Sequence, residues 1–237
     1  MRRPRRAMVM AAGRGSRMGA LTDSTPKPLL QAGGKALIDH ALDRVEEGGA
    51  QEAVVNLHHF ADRLQAHLSG RTRPSIAFSD ERDALLETGG GVRNALPLLG
   101  EAPVYVVNSD AVWTGAAPLP ALAEAWDAAR MDALLLLARR GAARAYTRAG
   151  DFELGHDGRP SRRRGRTAPL VYTGAQIIRP GVFGAGPEGP FSTNLIWDAL
   201  LARGRLFAIV HDGEWVDVGT PEGLAEAEAA ISESAAR

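Results

Sequence analysis

The chain of 237 residues contains no cysteine. Disulfides, thiolate zinc sites and cysteine nucleophiles are excluded together. It has no surplus charge either, with 28 Lys and Arg against 28 Asp and Glu. No global field draws it to nucleic acid, and its arginine clusters lack interleaved aromatics, so no nucleic-acid partner is expected. No apolar run approaches a membrane span, and Met1-Arg2-Arg3-Pro4-Arg5-Arg6 leads into an apolar strand without a signal-peptide core. No membrane partner and a cytoplasmic location are therefore expected. The histidines form no His-Glu-x-x-His, and the adjacent His58 and His59 point in different directions. No Gly-x-Ser-x-Gly provides a hydrolase elbow. Two familiar phosphate cradles are missing as well. A Walker A loop needs Gly-Lys-Ser or Gly-Lys-Thr, but Gly34-Lys35 is followed by Ala36. The dinucleotide fingerprint breaks because Gly13-x-Gly15-x-x meets Met18, with Gly19 one place late.

What is present is an ordinary globular composition, 45% hydrophobic and 24% charged. One domain over residues 1–237 is expected, with residues 1–6 as a disordered arm. The chain is organised around residues 7–30. An apolar run, Met8-Val9-Met10-Ala11-Ala12, is long enough for a buried parallel strand. After it comes the glycine-paired basic loop Gly13-Arg14-Gly15-Ser16-Arg17-Met18, and then Pro26-Lys27-Pro28, read as an extended segment carrying one lysine. Glycines let backbone N–H groups approach a ligand, and a nest of such donors favours an anion. Arg17 and Lys27 add fixed positive charge suited to phosphate oxygens. Together these features read as a polyphosphate cradle at the end of a first strand.

Beyond the cradle, apolar periodicity predicts helices over residues 36–47 and 60–68 and strands over 52–57 and 75–79. That alternation predicts a Rossmann-like, mostly parallel sheet with helices on both faces, whose ligands sit beyond the carboxyl ends of the strands. Glu87-Thr88-Gly89-Gly90-Gly91 precedes an expected helix over 92–98. Three glycines in a row are costly in helix or strand and imply close backbone approach to something. A buried strand over 103–108 ends in Asn108-Ser109-Asp110, a carboxylate facing the cradle that is open to reading as a turn former or helix cap, or as a metal ligand. A helix over 118–130 and a buried strand over 132–139 follow. From about residue 141 to 191 the texture changes to short strands (151–154, 158–166, 170–178) and polar turns. This predicts a small antiparallel region on the acceptor side. Arg159, Arg162, Arg163, Arg164 and Arg166 cluster there, open to reading as a solvated hairpin tip or as a ligand contact. Ser192 is a plausible N-cap for a helix over 193–201. A strand over 206–210 leads to Trp215-Val216-Asp217-Val218-Gly219-Thr220-Pro221, with Thr220 capping a last helix over 222–231.

Ala-Ala-Gly-Arg-Gly-Ser-Arg-Met followed by Thr-Pro-Lys-Pro-Leu-Leu closely resembles the signature loop of the sugar-1-phosphate nucleotidyltransferases. Trp-x-Asp-x-Gly-Thr-Pro is highly specific in the same family, and the resemblance runs in family order from Met8 to the last helix. It implies the nucleotidyltransferase fold, nucleoside triphosphate and sugar 1-phosphate as partners, and Mg²⁺ as cofactor held by Asp110 and Asp217. It also implies nucleotide contacts from Ala11, Ala12, Gly13, Arg14, Gly15, Ser16, Arg17, Lys27, Glu87, Thr88, Gly89, Gly90 and Asn108. Arg17 would meet the pyrophosphate portion and Lys27 the α-phosphate. Asn108, Glu153, Gly174 and Asp217 would face the sugar. Two departures stand out: Ser109 occupies the usual glycine of Asn-Gly-Asp, and no lysine matches the glutamate–lysine pair that often touches the sugar phosphate. The form Leu86-Glu87-Thr88-Gly89-Gly90-Gly91 resembles bacterial members that act on UTP and N-acetylmuramate 1-phosphate in cell-wall recycling. Similar short enzymes use GTP with mannose or heptose 1-phosphate, or dTTP with glucose 1-phosphate. A non-catalytic nucleotide-sugar sensor is the reading from another class. No left-handed β-helix repeat follows the core motifs, and oligomeric state is not legible.

Overall fold

The computed structural model describes residues 3–236. Arg6–Met10, Glu52–Leu57, Ser75–Asp80 and Val104–Asn108 pair in parallel, with Arg6–Met10 between Glu52–Leu57 and Val104–Asn108. Ala133–Arg139 and Leu206–Val210 form a further parallel pair. Between these two blocks runs Leu170–Ile178, antiparallel to Val104–Asn108 on one side and to Ala133–Arg139 on the other. The mostly parallel sheet is therefore as expected, but this strand lies at its centre rather than in a separate acceptor-side region. The reason is burial. A strand covered on both faces is a near-continuous apolar run whichever way it points, so its direction is not written in its pattern. The hairpin Phe152–Leu154 and Pro160–Arg162 does lie to the side, attached to the same sheet through Phe152 opposite Leu170.

Alternate residues of each strand feed two cores. Val9, Val55, Val107 and Leu136 pack with Ile38 and Leu42 of helix Leu37–Glu47, Leu64 of helix Ala61–Leu68 and Leu122 of helix Pro118–Ala125. Met8, Val54, Val106 and Leu135 pack on the opposite face with Val92 and with Trp197 and Leu200 of helix Asn194–Ala202. This period of two, with helices on both sides, is the arrangement the apolar pattern predicts.

Three local expectations change. Arg6 opens the first strand and pairs with Glu52 at 2.7 Å, while the Arg5 carbonyl accepts from Gln51 and Glu52, so residues 3–6 are not a disordered arm. Met1 and Arg2 lie outside the described residues. The helix expected from residue 92 begins at Glu87 and contains the three glycines, ending at Asn94 before a short turn Leu96–Leu99. The helix expected to reach 130 stops at Ala125, because Trp126 is extended and Asp127 starts a turn by accepting from Ala129.

A second, three-stranded sheet brings the Asn108–Asp110 and Trp215–Pro221 motifs together. Trp215–Asp217 pairs antiparallel with Ala111–Trp113 and parallel with Ala143–Arg144. Its register sets Asp217 opposite Ala111, next to Asp110, across more than one hundred residues of chain. Helix Pro221–Ala235 follows, with Thr220 Oγ1 accepting from the Gly223 N–H at 3.2 Å. Pro221 takes the first helical position, as the Gly-Thr-Pro sequence predicts. Among the described residues no helix is long and apolar enough to cross a membrane.

Candidate active site

Both parallel strands that border the cleft end together, with Met10 opposite Asn108. Ser109 ties these ends by donating from its N–H at 3.1 Å and its Oγ at 2.8 Å to the Met10 carbonyl. Serine in place of glycine thus adds a hydrogen bond and leaves Asp110 free to face the cleft.

Past Met10 the chain turns into the cradle. Gly15 has φ +67°, and a Cβ there would meet Lys27 Cβ at 2.9 Å. Only glycine lets the loop lie this close to the lysine stem. Thr22 Oγ1 donates to the carbonyls of Gly15 and Gly19, which closes the loop on itself. Lys27 is not in an extended segment as its flanking prolines predict. It opens a single 3₁₀ turn, Lys27–Leu29, because Pro28 presets the next helical φ. The turn buries the lysine stem and aims Nζ at Asp110 Oδ2, 2.5 Å away. Gly219 lies close as well: a Cβ would lie 2.8 Å from the Arg17 guanidinium, the movable end of a long side chain. The last motif of the chain is cut away to let the first loop's arginine cross it.

Two adjoining cavities result. The smaller, about 220 Å³, is lined by Gly13, Gly15, Ser16, Arg17, Lys27, Ala11, Asp110 and Gly219. The larger, about 330 Å³, is lined by Arg17, Thr88, Asn108, Asp110, Gly174 and Asp217 together with Arg148, Asp151, Arg162, Tyr172 and Trp197. Asp110 and Arg17 belong to both. Asp217 Oδ2 accepts from Arg148 at 3.1 Å, so each aspartate holds one cationic side chain. Gly174 sits where the central strand changes register between Tyr172 and Gln176, with φ +86°. A Cβ there would meet Asn108 at 2.9 Å, so two expected sugar-side residues are in direct contact.

Other expected residues fall elsewhere. Ala12 and Arg14 line neither cavity. The N–H groups of Ala11 and Ala12 both donate to Asn56 Oδ1, at 2.7 and 3.3 Å, and so are committed within the protein. Glu87, φ +59°, is exposed at the start of its helix. Gly89 and Gly90 donate to the Phe191 carbonyl, and a Cβ on Gly89 would strike the Phe191 ring at 2.4 Å. The close approach demanded by the glycines is real, but its object is the segment before helix Asn194–Ala202. Of this motif only Thr88 reaches the cavity, and its Oγ1 accepts from the Thr193 N–H at 2.9 Å. Glu153 is exposed and lines neither cavity, since it alternates with the buried, cavity-lining Phe152 along a short strand.

Sequence reasoning missed Asn56, Glu81, Arg148 and Asp151. Asn56 had a signal: it is the one amide in the apolar run Glu52–Leu57. Its Nδ2 donates to Glu81 Oε1 at 2.9 Å, and Glu81 is 3% exposed with Oε2 unpartnered among the described residues. Burial pushes the Glu81 carboxyl above its ordinary range, partly opposed by the Asn56 bond. Burial also raises Tyr172, which stays a neutral phenol in the cavity. Arg148 and Asp151 gave no signal, as both lie in irregular segments whose direction only the fold decides.

A family model, the MobA-like NTP transferase domain, matches residues 7–216. The chain belongs to this nucleotidyltransferase family. It is 45% identical to N-acetylmuramate α-1-phosphate uridylyltransferase of Caulobacter vibrioides over 98% of both chains. Its identity to the enzyme of the same name from Neisseria meningitidis is 35%, over 94% of this chain and 97% of that one. A solved structure of a putative glucose-1-phosphate thymidylyltransferase from Bacillus anthracis superposes with a TM-score of 0.79 at 19% identity, covering 94% of each chain. That likeness shows the fold alone. As a sugar-1-phosphate nucleotidyltransferase the chain is a transferase of the 2.7.7 class, and NTP transferases of this kind work with a divalent metal. The residues present fit such an ion: two carboxylates from separate elements border one cavity, each beside one cationic side chain. A hard cation that keeps waters and substrate phosphates in its shell needs only one or two protein carboxylates.

Proposed function

We propose that the enzyme transfers a uridylyl group from UTP to N-acetylmuramate 1-phosphate, releasing pyrophosphate, with Mg²⁺ as the metal and the cytoplasm as its place. The observation that carries the reaction is the wall shared by the two cavities, formed by Asp110 and Arg17, with Lys27 on its smaller-cavity side and Asp217 on its larger-cavity side. The substrate pair is supported by the two muramate-specific relatives, both covered nearly end to end.

A sugar 1-phosphate is already an anionic nucleophile near neutral pH, so positioning and charge neutralisation suffice. The sugar phosphate, in the larger cavity, presents an oxygen in line to the α-phosphorus of a triphosphate seated in the smaller one. A new P–O bond forms, the bond to the β-phosphate oxygen breaks, and its electron pair leaves with pyrophosphate. Lys27 neutralises charge on the α-phosphate, and Arg17 over Gly219 holds the departing pyrophosphate. Asp110 and Asp217 would hold Mg²⁺, which when bound neutralises phosphate charge and steadies the nucleophile. Lys27 and Arg148, which pair with these two aspartates, are the cations placed to meet the phosphates. Asn108 and Gly174 border the sugar.

Pyrophosphate release with Mg²⁺ tests this, using UTP, GTP, CTP, ATP and dTTP against N-acetylmuramate, glucose and mannose 1-phosphates. Turnover of UTP with the muramate sugar is expected. Turnover of another pair alone would retain the chemistry and overturn the substrate assignment. Silence throughout, with nucleotide bound by calorimetry, would replace the enzyme with a sensor.

A further inference from the structure

The clustered arginines separate once their surroundings are known. Arg159 pairs with Asp157 at 2.6 Å and stacks on Phe207, while Arg163 donates to backbone carbonyls of its own loop. Of the five, Arg162 alone lines the larger cavity. Its guanidinium stacks on Phe152 at 4.9 Å and on Trp197 at 5.6 Å. Nε donates to Asp198 Oδ1 at 2.8 Å and Nη2 to the Asn194 carbonyl at 3.3 Å. Nη1 makes no hydrogen bond among the described residues. Two rings and two hydrogen bonds hold the fork in place, so its spare donor is presented at little entropic cost.

The position matters as much as the donor. Arg148 sits on Asp217, at the reacting end, where the sugar's phosphate must lie. Arg162 comes instead from the side hairpin, beside Ser192, Thr193 and Asn194 at the start of helix Asn194–Ala202, all of which face the same cavity. Positive potential from that helix start adds to the guanidinium. Asp198 offsets part of the Arg162 charge, yet a sugar whose only anion is the 1-phosphate leaves the spare donor on this wall without a partner. A second phosphate would also crowd Asp151, which lines the same cavity and already accepts from the Tyr172 N–H at 3.0 Å. A single planar carboxylate on the sugar ring matches one guanidinium edge.

We infer that Arg162 is the specificity residue of the sugar cavity, binding a carboxylate carried by the sugar itself. The inference rests on the muramate reading above, because the lactyl ether of that sugar is such a carboxylate. N-acetylglucosamine 1-phosphate is the same sugar without it. The test measures kcat/KM with UTP for both sugars, in the wild type and in R162Q and R162K. The ratio of muramate to glucosamine turnover should fall by about 10- to 100-fold in R162Q, through KM of the muramate sugar, as one charged hydrogen bond is lost. R162K keeps the charge but not the fork, and should fall between the two. A loss of equal size on both sugars, or an unchanged ratio in R162Q and R162K, would overturn the inference while leaving the reaction assigned. Wild-type silence on the muramate sugar would overturn the reading beneath it and the inference with it. Should R162Q not fold, R162K decides by the same ratio.

Discussion

The smaller cavity, proposed as the nucleotide side of the cleft, and the larger, proposed as the sugar side, are built by opposite strategies. The nucleotide side is local: residues 10–30 supply most of the smaller cavity, largely from backbone, glycines and one lysine. The sugar side is assembled from distant side chains, with Asn108, Arg148, Arg162, Gly174 and Asn194 arriving on separate elements. A loop that recognises phosphate must keep its spacing, because backbone donors cannot be moved singly. A wall that recognises a sugar can exchange one side chain at a time. On the proposed assignment, the chemistry common to nucleotidyl transfer sits on the first side, and the choice of acceptor on the second.

The strongest way to break this division is at the aspartates that both sides share. D110A and D217A should each lower kcat by about three orders of magnitude or more, with the fold intact by circular dichroism. Near-normal turnover in both would dissociate the metal from these carboxylates. K27M should cost about 10²- to 10³-fold in kcat, measured by pyrophosphate release, and the loss should be the same for every sugar offered. R148A sharpens the other half: KM for the sugar phosphate should rise about tenfold, with KM for the nucleotide within twofold. N56A should do the reverse, raising KM for the nucleotide about fivefold, because two loop N–H groups lose their acceptor.

The smallest effect concerns stability. Glu81 has a raised folded-state value, so the folded protein holds this proton longer than the unfolded chain, whose value is near 4.5. Its contribution is complete below about pH 4.5 and is lost as pH rises through the higher folded value. E81Q removes the titration. Its melting temperature should match wild type near pH 4 and exceed it by a few degrees at pH 8. An identical difference at both pH values would show that Glu81 titrates normally.

The same division explains what could be read in advance. Arg17, Lys27, Asp110 and Asp217 were legible because each sits in a short motif with fixed spacing, and the fold brings all four together. The strand at residues 170–178 was legible as a strand but not in place or direction, since burial on both faces erases alternation. Glu87, Gly89, Gly90 and Glu153 illustrate another limit. A motif tells that backbones approach closely, and not whether the neighbour is a ligand or Phe191. Arg148 and Asp151 carried no pattern, and Arg162 was one of five equivalent arginines until Phe152 and Trp197 singled it out.

The contact between Gly219 and Arg17 bears on the life history of the chain. Translation delivers the phosphate loop first and the Gly219 motif more than two hundred residues later. Until that segment leaves the ribosome, Arg17 has no floor beneath it and Asp110 no companion carboxylate. A nascent chain can shape its nucleotide loop but cannot spend a triphosphate. Under the roles proposed for Asp217 and Arg17, catalytic competence waits for that segment.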